Sequence, residues 1–185
     1  PVPKPAAWVD ATTHLRDTVV KAGAGTVQEG WLVLSKHHST LISGEKIFRD
    51  AVARMTFKGA GGLVMRWTQG GRNYQSLLLE GGLNLRSWDA ALQKQVLFDK
   101  HLPYEPGFDL RAEHELVVAV EGDLISVWLD GRLRLTQRDS STPQGGIMVN
   151  FGVSGTNPAL FPHIKKVEYG ELESAEPKNQ KEQPR

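Results

Sequence analysis

Seven side chains of types that bind sugars recur on the more polar faces of the strands that this sequence predicts. They combine hydrogen-bonding groups with aromatic rings: Arg54, Arg66, Tyr74, Arg86, Trp88, Trp128 and Asn150. Aromatic rings stack on apolar faces of sugars, and guanidinium and amide groups form directed hydrogen bonds. If these polar faces belong to one sheet, they predict a carbohydrate-binding surface. In the alternative interpretation, the arginines pair with Glu80, Asp89 or Asp130 and the tryptophans cover sheet edges.

The sequence offers no clear pair of carboxylates for glycoside hydrolysis. A retaining glycosidase needs two carboxylates that face each other across the sugar. No predicted strand carries such a pair, and Glu80 with Asp130 is the least unsuitable combination.

Metal sites and other catalytic motifs are weak in this sequence. Asp130, Asp139 and Asn157 lie in predicted turns where calcium could bind between loops, although the set is short of oxygen ligands. His114-Glu115 has no second histidine at the zinc-protease spacing. We therefore expect no resident cofactor, with calcium as the one open alternative.

The strands that must position these residues are clearest in the region 113–135. Three runs rich in apolar residues, at 115–120, 124–129 and 132–135, are separated by Gly122-Asp123 and Asp130-Gly131. Asp-Gly is typical of a two-residue hairpin turn, because both central residues of that turn adopt positive φ. The region predicts an antiparallel meander.

Short runs between glycines and prolines extend this pattern along the chain. They predict strands at 27–29, 31–35, 40–42, 48–57, 62–68, 73–80, 83–88, 95–99, 146–153 and 163–172. A short helix is predicted over 10–21, with Leu15, Val19 and Val20 on one face and Gly23 after its end, although the β-branched residues there oppose it. The sequence predicts an all-β fold, a two-layer antiparallel β-sandwich with one short N-terminal helix.

The amino-acid composition indicates the size of the core and disfavours nucleic acid and membrane as partners. The 185 residues, 39% of them hydrophobic, suffice for one sizeable core. A net charge of +1 gives no field that would attract nucleic acid, and no apolar run is long enough to predict membrane insertion. We expect a Pro-rich linker at 1–8, a single domain at 9–173 and a disordered polar tail at 174–185, as in a module with covalently linked neighbouring domains.

Several motifs together resemble a known superfamily. They are Phe48-Arg49-Asp50, the glycine-to-arginine run at 62–66, Asn73-Tyr74, the run at 114–118, the hairpin at 122–131, Gly145-Gly146-Ile147 and the run at 161–167. This pattern, over roughly residues 25–172, is similar to the concanavalin A-like lectin/glucanase superfamily, particularly its laminin G-like and 3-keto-disaccharide hydrolase types. The resemblance implies a jelly roll with Arg66 and Tyr74 on its concave ligand face, and an extracytoplasmic or cell-surface location.

One departure from the superfamily bears on catalysis. The Glu-x-Asp-x-x-Glu signature of the family-16 glucanases is missing, and the nearest match, Glu121-Gly122-Asp123, has Ser126 in place of the last acid. Three hypotheses stay open. The chain is a non-catalytic carbohydrate-binding module of a larger bacterial protein, a glycoside hydrolase of the 3-keto-disaccharide hydrolase type, or a structural or sensory domain attached to a signalling protein such as a Ser/Thr kinase.

Overall fold

Fourteen β-strands and one α-helix make up the part of the chain that the computed structural model describes, residues 1–151 and 157–173. The strands are β1 Val9–Asp10, β2 Gly25–Gln28, β3 Trp31–Leu34, β4 His38–Leu41, β5 Ala51–Lys58, β6 Gly61–Trp67, β7 Arg72–Leu79, β8 Gly82–Asp89, β9 Lys94–Leu102, β10 His114–Glu121, β11 Leu124–Leu129, β12 Arg132–Arg138, β13 Gly146–Phe151 and β14 His163–Glu171. The helix α1 is Thr12–Lys21, and a short 3-10 helix covers Pro158–Leu160. The predicted tail at 174–185 lies outside the described residues.

The strands form two antiparallel sheets packed as a sandwich, which confirms the predicted fold class. Sheet A has the order β12-β11-β10-β5-β14-β3-β2, and β1 adds to β14; sheet B has the order β4-β13-β6-β7-β8-β9. The predicted meander is β10, β11 and β12, and Asp130 and Gly131 have φ of 51° and 75° in its second turn. None of the described helices is both long and apolar enough to cross a membrane.

The main core lies between the inner faces of the two sheets. Met55 and Phe57 of sheet A and Leu63 and Leu85 of sheet B are among its fully buried members. A second apolar cluster lies on the outer face of sheet A, where Val2 and Trp8 pack against it; its buried members are Val52, Val117, Ala119, Trp128 and Leu172. The segment predicted to be a linker therefore contacts sheet A. Because β10 is covered on both faces, its sequence is apolar without alternation.

Helix α1 follows the predicted boundaries closely. The Asp10 carboxylate accepts a hydrogen bond from the Thr12 amide (2.9 Å), and Gly23 adopts φ of 61° just beyond the helix. Leu15 and Val19 are buried against the core, whereas Val20, which we expected on the same face, is 46% exposed. The apolar face is therefore narrower than predicted.

A β-bulge in strand β6 changes the direction of its last side chains. Val64 pairs with Met148 and Trp67 with Gly146, so β6 places two residues opposite the single Ile147. Arg66 lies in the bulge with φ of 54°, an uncommon conformation for a residue other than glycine. A Cβ atom on Gly145 would lie 2.3 Å from the Arg66 carbonyl carbon, so glycine is required there. The bulge reverses the alternation, so Arg66 turns inward and Trp67 outward.

The buried Arg66 side chain connects three loops. Its Nη2 donates to the Arg49 carbonyl (2.7 Å) and the Gly122 carbonyl (2.5 Å), and its Nη1 donates to the Thr142 carbonyl (2.7 Å). The carboxylate of Asp50 lies 3.8 Å from Nη2. Burial lowers the pKa of this guanidinium. Arg66 therefore joins loops of sheet A to the loop that precedes β13 in sheet B.

We predict that Arg66→Met lowers the free energy of unfolding by about 3–5 kcal/mol, because the buried carbonyls and Asp50 lose their charged partner. Urea denaturation followed by tryptophan fluorescence measures this change. The control is Arg72→Met, which removes an exposed arginine paired with Asp89 at 3.5 Å. It should cost less than about 1 kcal/mol. Equal losses in the two variants would contradict the anchoring role of Arg66.

Candidate functional site

A groove of about 390 Å³ lies on the outer face of sheet B. Its floor is polar, with Asn73 and Gln75 from β7, Arg86 from β8 and Asn150 from β13, and it has two tryptophans, Trp67 and Trp88. The remaining lining residues are Ser39, Val64, Ala90, Gln93 and Met148. Among the described residues, no aspartate or glutamate lines this groove.

The hairpin of β7 and β8 sets the centre of the groove. Asn73 pairs with Trp88 and Gln75 with Arg86 in this antiparallel register. The alternating residue Tyr74 faces the sandwich interior and is 0% exposed. Because successive side chains of a strand point to opposite faces, the two pairs share the outer face.

Three further strands, β6, β13 and β4, complete the groove. The bulge in β6 turns Trp67 toward the groove, where regular alternation would have turned it into the core. On β13, Asn150 pairs with Gly62 of β6 and with Ser39 of β4. The Ser39 hydroxyl donates to Asn150 Oδ1 (3.2 Å). The groove is thus supplied by five neighbouring strands of sheet B, β4, β13, β6, β7 and β8.

Hydrogen bonds orient the polar floor. Arg86 donates from Nε and Nη2 to Gln75 Oε1, at 3.0 and 2.8 Å. Gln75 in turn donates from Nε2 to Asn73 Oδ1 (3.2 Å). The Arg86 guanidinium carbon lies 4.7 Å from the centroid of the Trp88 ring, within the range of a cation–π interaction. Burial lowers the pKa of Arg86, and the charge of Asp99 opposes that shift.

A turn after β8 forms one end of the groove. Asp89 Oδ1 accepts hydrogen bonds from the amides of Ala91 (3.0 Å) and Leu92 (2.9 Å). The Leu92 bond is the leading cause that lowers the pKa of Asp89, and Arg72 acts in the same direction. This turn carries Ala90 and Gln93, which line the groove.

The structure brings together three of the seven residues in the predicted set, Arg86, Trp88 and Asn150. The expectation that all seven share one surface is corrected for the other four. Arg66 and Tyr74, expected on the concave face, are 3% and 0% exposed, and the Tyr74 hydroxyl donates to the Asp139 carbonyl (3.0 Å). The physical reasons are the β6 bulge for Arg66 and the inward alternation of β7 for Tyr74.

Arg54 and Trp128 lie on the outer face of the other sheet. The Arg54 guanidinium lies 4.1 Å from the centroid of the Trp8 ring and pairs with Glu168 at 2.6 Å. Trp128 is 6% exposed because it belongs to the apolar cluster that Val2 and Trp8 cover. Neither side chain lines the groove on sheet B.

Sequence reasoning missed Trp67, Asn73 and Gln75 as groove residues. For Asn73 and Gln75 a signal exists, because a tight turn at 80–81 places them opposite Trp88 and Arg86. For Trp67 there was none, since strict alternation assigns it to the core side and the bulge depends on Gly145 of another strand.

The two candidate catalytic carboxylates are on different elements. Glu80 is exposed in the turn between β7 and β8, and Asp130 lies in the turn between β11 and β12. The Asp130 carboxylate lies 2.8 Å from His114 Nδ1 and accepts a bond from the Glu115 amide (2.9 Å). Asp130 lines a separate depression to which Glu80 does not contribute.

The turn residues considered for calcium bond to the protein itself. Asp139 accepts from the Ser141 amide (2.7 Å), and Asn157 accepts from the Ala159 amide (3.0 Å). Within residues 1–151 and 157–173, no three His, Asp or Glu side chains are grouped as a metal site would require. Calcium binding therefore stays an open alternative.

We predict that Asp89→Ala accelerates amide hydrogen exchange at Ala91 and Leu92, because both amides lose their acceptor. The folded-state pKa of Asp89 is lowered, so its contribution is present above the ordinary pKa of 3.8 and is lost as the pH falls through the lower folded value. Wild-type exchange at these amides, corrected for intrinsic pH dependence, should therefore rise on acidification below about pH 3.8. Asp109→Ala, which removes the carboxylate that accepts from the Arg111 amide, is the control and should leave both amides unchanged.

Comparisons of sequence find no family model and no curated protein that matches this chain. Solved structures do match its fold. The carbohydrate binding module CBM66 from Bacillus subtilis matches with a TM-score of 0.55 at 13% identity, over 93% of this chain and 98% of that one. The Bacillus licheniformis β-glucanase matches with a TM-score of 0.58 at 15% identity, over 81% of this chain and 83% of that one. The laminarinase catalytic domain from Thermotoga maritima matches with a TM-score of 0.56 at 12% identity, over 94% of this chain and 95% of that one. At such identities the likeness shows the fold, and it confirms that this chain has the concanavalin A-like jelly-roll fold.

Proposed function

We propose that this chain is a non-catalytic carbohydrate-binding module and that its ligand occupies the groove on the outer face of sheet B. The observation that carries the proposal is the pairing of two half-buried tryptophans, Trp67 and Trp88, with a floor of amide and guanidinium groups. Sugars present both apolar ring faces and hydroxyl groups, and this lining offers a partner for each.

The spacing of the tryptophans suits an oligosaccharide. Trp67 lies on β6 and Trp88 on β8, so β7 runs between them. Two strand spacings amount to about 10 Å, roughly the length of a disaccharide unit, if the rings stand above their own strands. Asn73 and Gln75, which lie on the intervening strand, could contact the hydroxyl groups of a sugar that spans the two rings.

The structural neighbours bear on the choice between binding and hydrolysis. They include a module named for carbohydrate binding as well as a β-glucanase and a laminarinase, so the fold likeness is compatible with either function. The glucanase likeness favours a glycoside hydrolase as the second candidate. Against it, the described lining of the groove has no carboxylate, and Glu80 and Asp130 lie in turns of different sheets. A binding module attached to a signalling protein would use the same groove as a sensor.

We predict that the chain binds at least one soluble polysaccharide in a panel of laminarin, mixed-linkage β-glucan, xylan, galactan, levan and homogalacturonan. Trp88→Ala should weaken that binding at least about tenfold, because loss of a stacked ring at the centre of a site costs about 1.4 kcal/mol or more. Affinity gel electrophoresis identifies the ligand, and isothermal titration calorimetry measures its affinity.

The matched control is Trp31→Ala. Trp31 is also half-buried beneath a cation, with Lys58 Nζ 4.5 Å from its ring centroid, but it lies on sheet A. Its replacement should leave the affinity unchanged. No binding to any member of the panel, or equal weakening by both variants, would contradict the proposal. Release of reducing sugar that is lost in the Glu80→Gln, Asp130→Asn double variant would instead support the hydrolase.

A further inference from the structure

We propose that the sugar bound in this groove carries a carboxylate, as uronic acids do, and that Arg86 binds that carboxylate. The inference rests on the proposed function, because it names the class of saccharide that the same groove selects.

Arg86 lacks an acidic partner. Arg54, Arg66, Arg72, Arg134 and Arg138 each lie within 4.0 Å of a carboxylate, whereas among the described residues no ion pair includes Arg86. The other described arginines without an ion pair are either exposed, as Arg49, Arg111 and Arg132 are, or bonded to backbone carbonyls, as Arg16 is. Its cross-strand neighbour Asp99 accepts a hydrogen bond from Asn84 Nδ2 (3.0 Å) instead. The charge of Asp99 acts on Arg86 from beyond ion-pair distance, so the hydrogen-bond acceptor of this half-buried cation among the described residues is the neutral amide of Gln75. An anionic ligand would supply the missing partner.

Hydrogen bonds to the described residues leave Nη1 of the Arg86 guanidinium available. Gln75 Oε1 occupies the edge formed by Nε and Nη2, and the Trp88 ring lies beside the plane at 4.7 Å. Within the described residues, Nη1 makes no hydrogen bond, and Arg86 lines the groove, so the N–H groups of Nη1 can serve a ligand there. A carboxylate fits a guanidinium edge through two parallel hydrogen bonds.

The described lining of the groove contains no negatively charged group, although the charge of Asp99 reaches Arg86 from outside the lining. The nearby Asp89 is engaged by Arg72 and by two backbone amides. Asn73, Gln75 and Asn150 are neutral and can contact hydroxyl groups of an acidic sugar as well as of a neutral one. Discrimination between acidic and neutral sugars therefore depends on Arg86.

The test compares each of three acidic saccharides with its own methyl ester, which keeps the ring and removes the charge. The probes are trigalacturonate, trimannuronate and an aldouronic acid prepared from glucuronoxylan, each measured by isothermal titration calorimetry. We expect the wild-type chain to bind at least one acid at least tenfold more tightly than its ester, as a charge-assisted hydrogen-bond pair predicts.

Three variants test whether the preference for the acid depends on Arg86. Arg86→Gln should reduce the ratio of acid to ester affinity to within about twofold, whereas Arg72→Gln, which removes a nearby arginine already paired with Asp89, should keep most of it. Asp99→Asn should raise the ratio about threefold, because it removes the nearest competing negative charge. If Arg86→Gln fails to fold, the ratio of acid to ester affinity in Asp99→Asn still tests the inference.

The outcomes separate this inference from the proposed function. Trp88-dependent binding of neutral polysaccharides, with equal affinity for acid and ester or no binding of the acids, overturns the inference and leaves the proposed function in place. Tighter binding of sulfated saccharides than of carboxylates also overturns it. No binding of any saccharide overturns the proposed function and the inference together. An unchanged ratio in Asp99→Asn contradicts the role of Arg86.

Discussion

The buried guanidinium of Arg66 is the interaction on which the arrangement of the groove depends. It donates to carbonyl groups at Arg49, Gly122 and Thr142, so one side chain of sheet B joins loops that lead into both sheets. The same residue occupies the β6 bulge, and the close approach of Gly145 makes that bulge possible. Because the bulge reverses the alternation, the Arg66 side chain is directed inward and the Trp67 side chain outward. The buried position of Arg66 and the position of Trp67 in the groove therefore have a common origin, the β6 bulge.

The two outer faces of the sandwich differ in what covers them. Sheet A has an apolar cluster around Trp128, and the N-terminal residues Val2 and Trp8 pack against it. Sheet B has no such cover over its described residues, and its outer face presents amides, a guanidinium and two indole rings. Burial of apolar surface thus occupies one face, whereas the polar face stays open to solvent and to a ligand.

The lack of carboxylates in the described groove lining bears both on catalysis and on the class of ligand. Most glycoside hydrolases use a pair of carboxylates in the groove, and the described lining has none. The same lack of carboxylates leaves Arg86 without an ion-pair partner. One feature of the lining therefore weakens the hydrolase hypothesis and motivates an acidic ligand.

Local patterns in the sequence were sufficient for most of the elements and for part of the groove, although β1, which forms by pairing with β14, was not predicted. The Asp130-Gly131 turn, helix α1 and the two-residue alternation of β8 and β13 depend on neighbours in the chain, so the meander and the outward direction of Arg86, Trp88 and Asn150 could be predicted. Alternation tells which residues of a strand share a face, but it does not tell which sheet the strand joins.

Tertiary structure alone decided the rest. Arg54 and Trp128 have the same alternation as the groove residues, yet their strands belong to sheet A. The inward turn of Arg66 and the outward turn of Trp67 follow from a register shift against β13, a strand about 80 residues further along the chain. Such a shift is set by contacts between distant segments, and no local pattern of residue types encodes it.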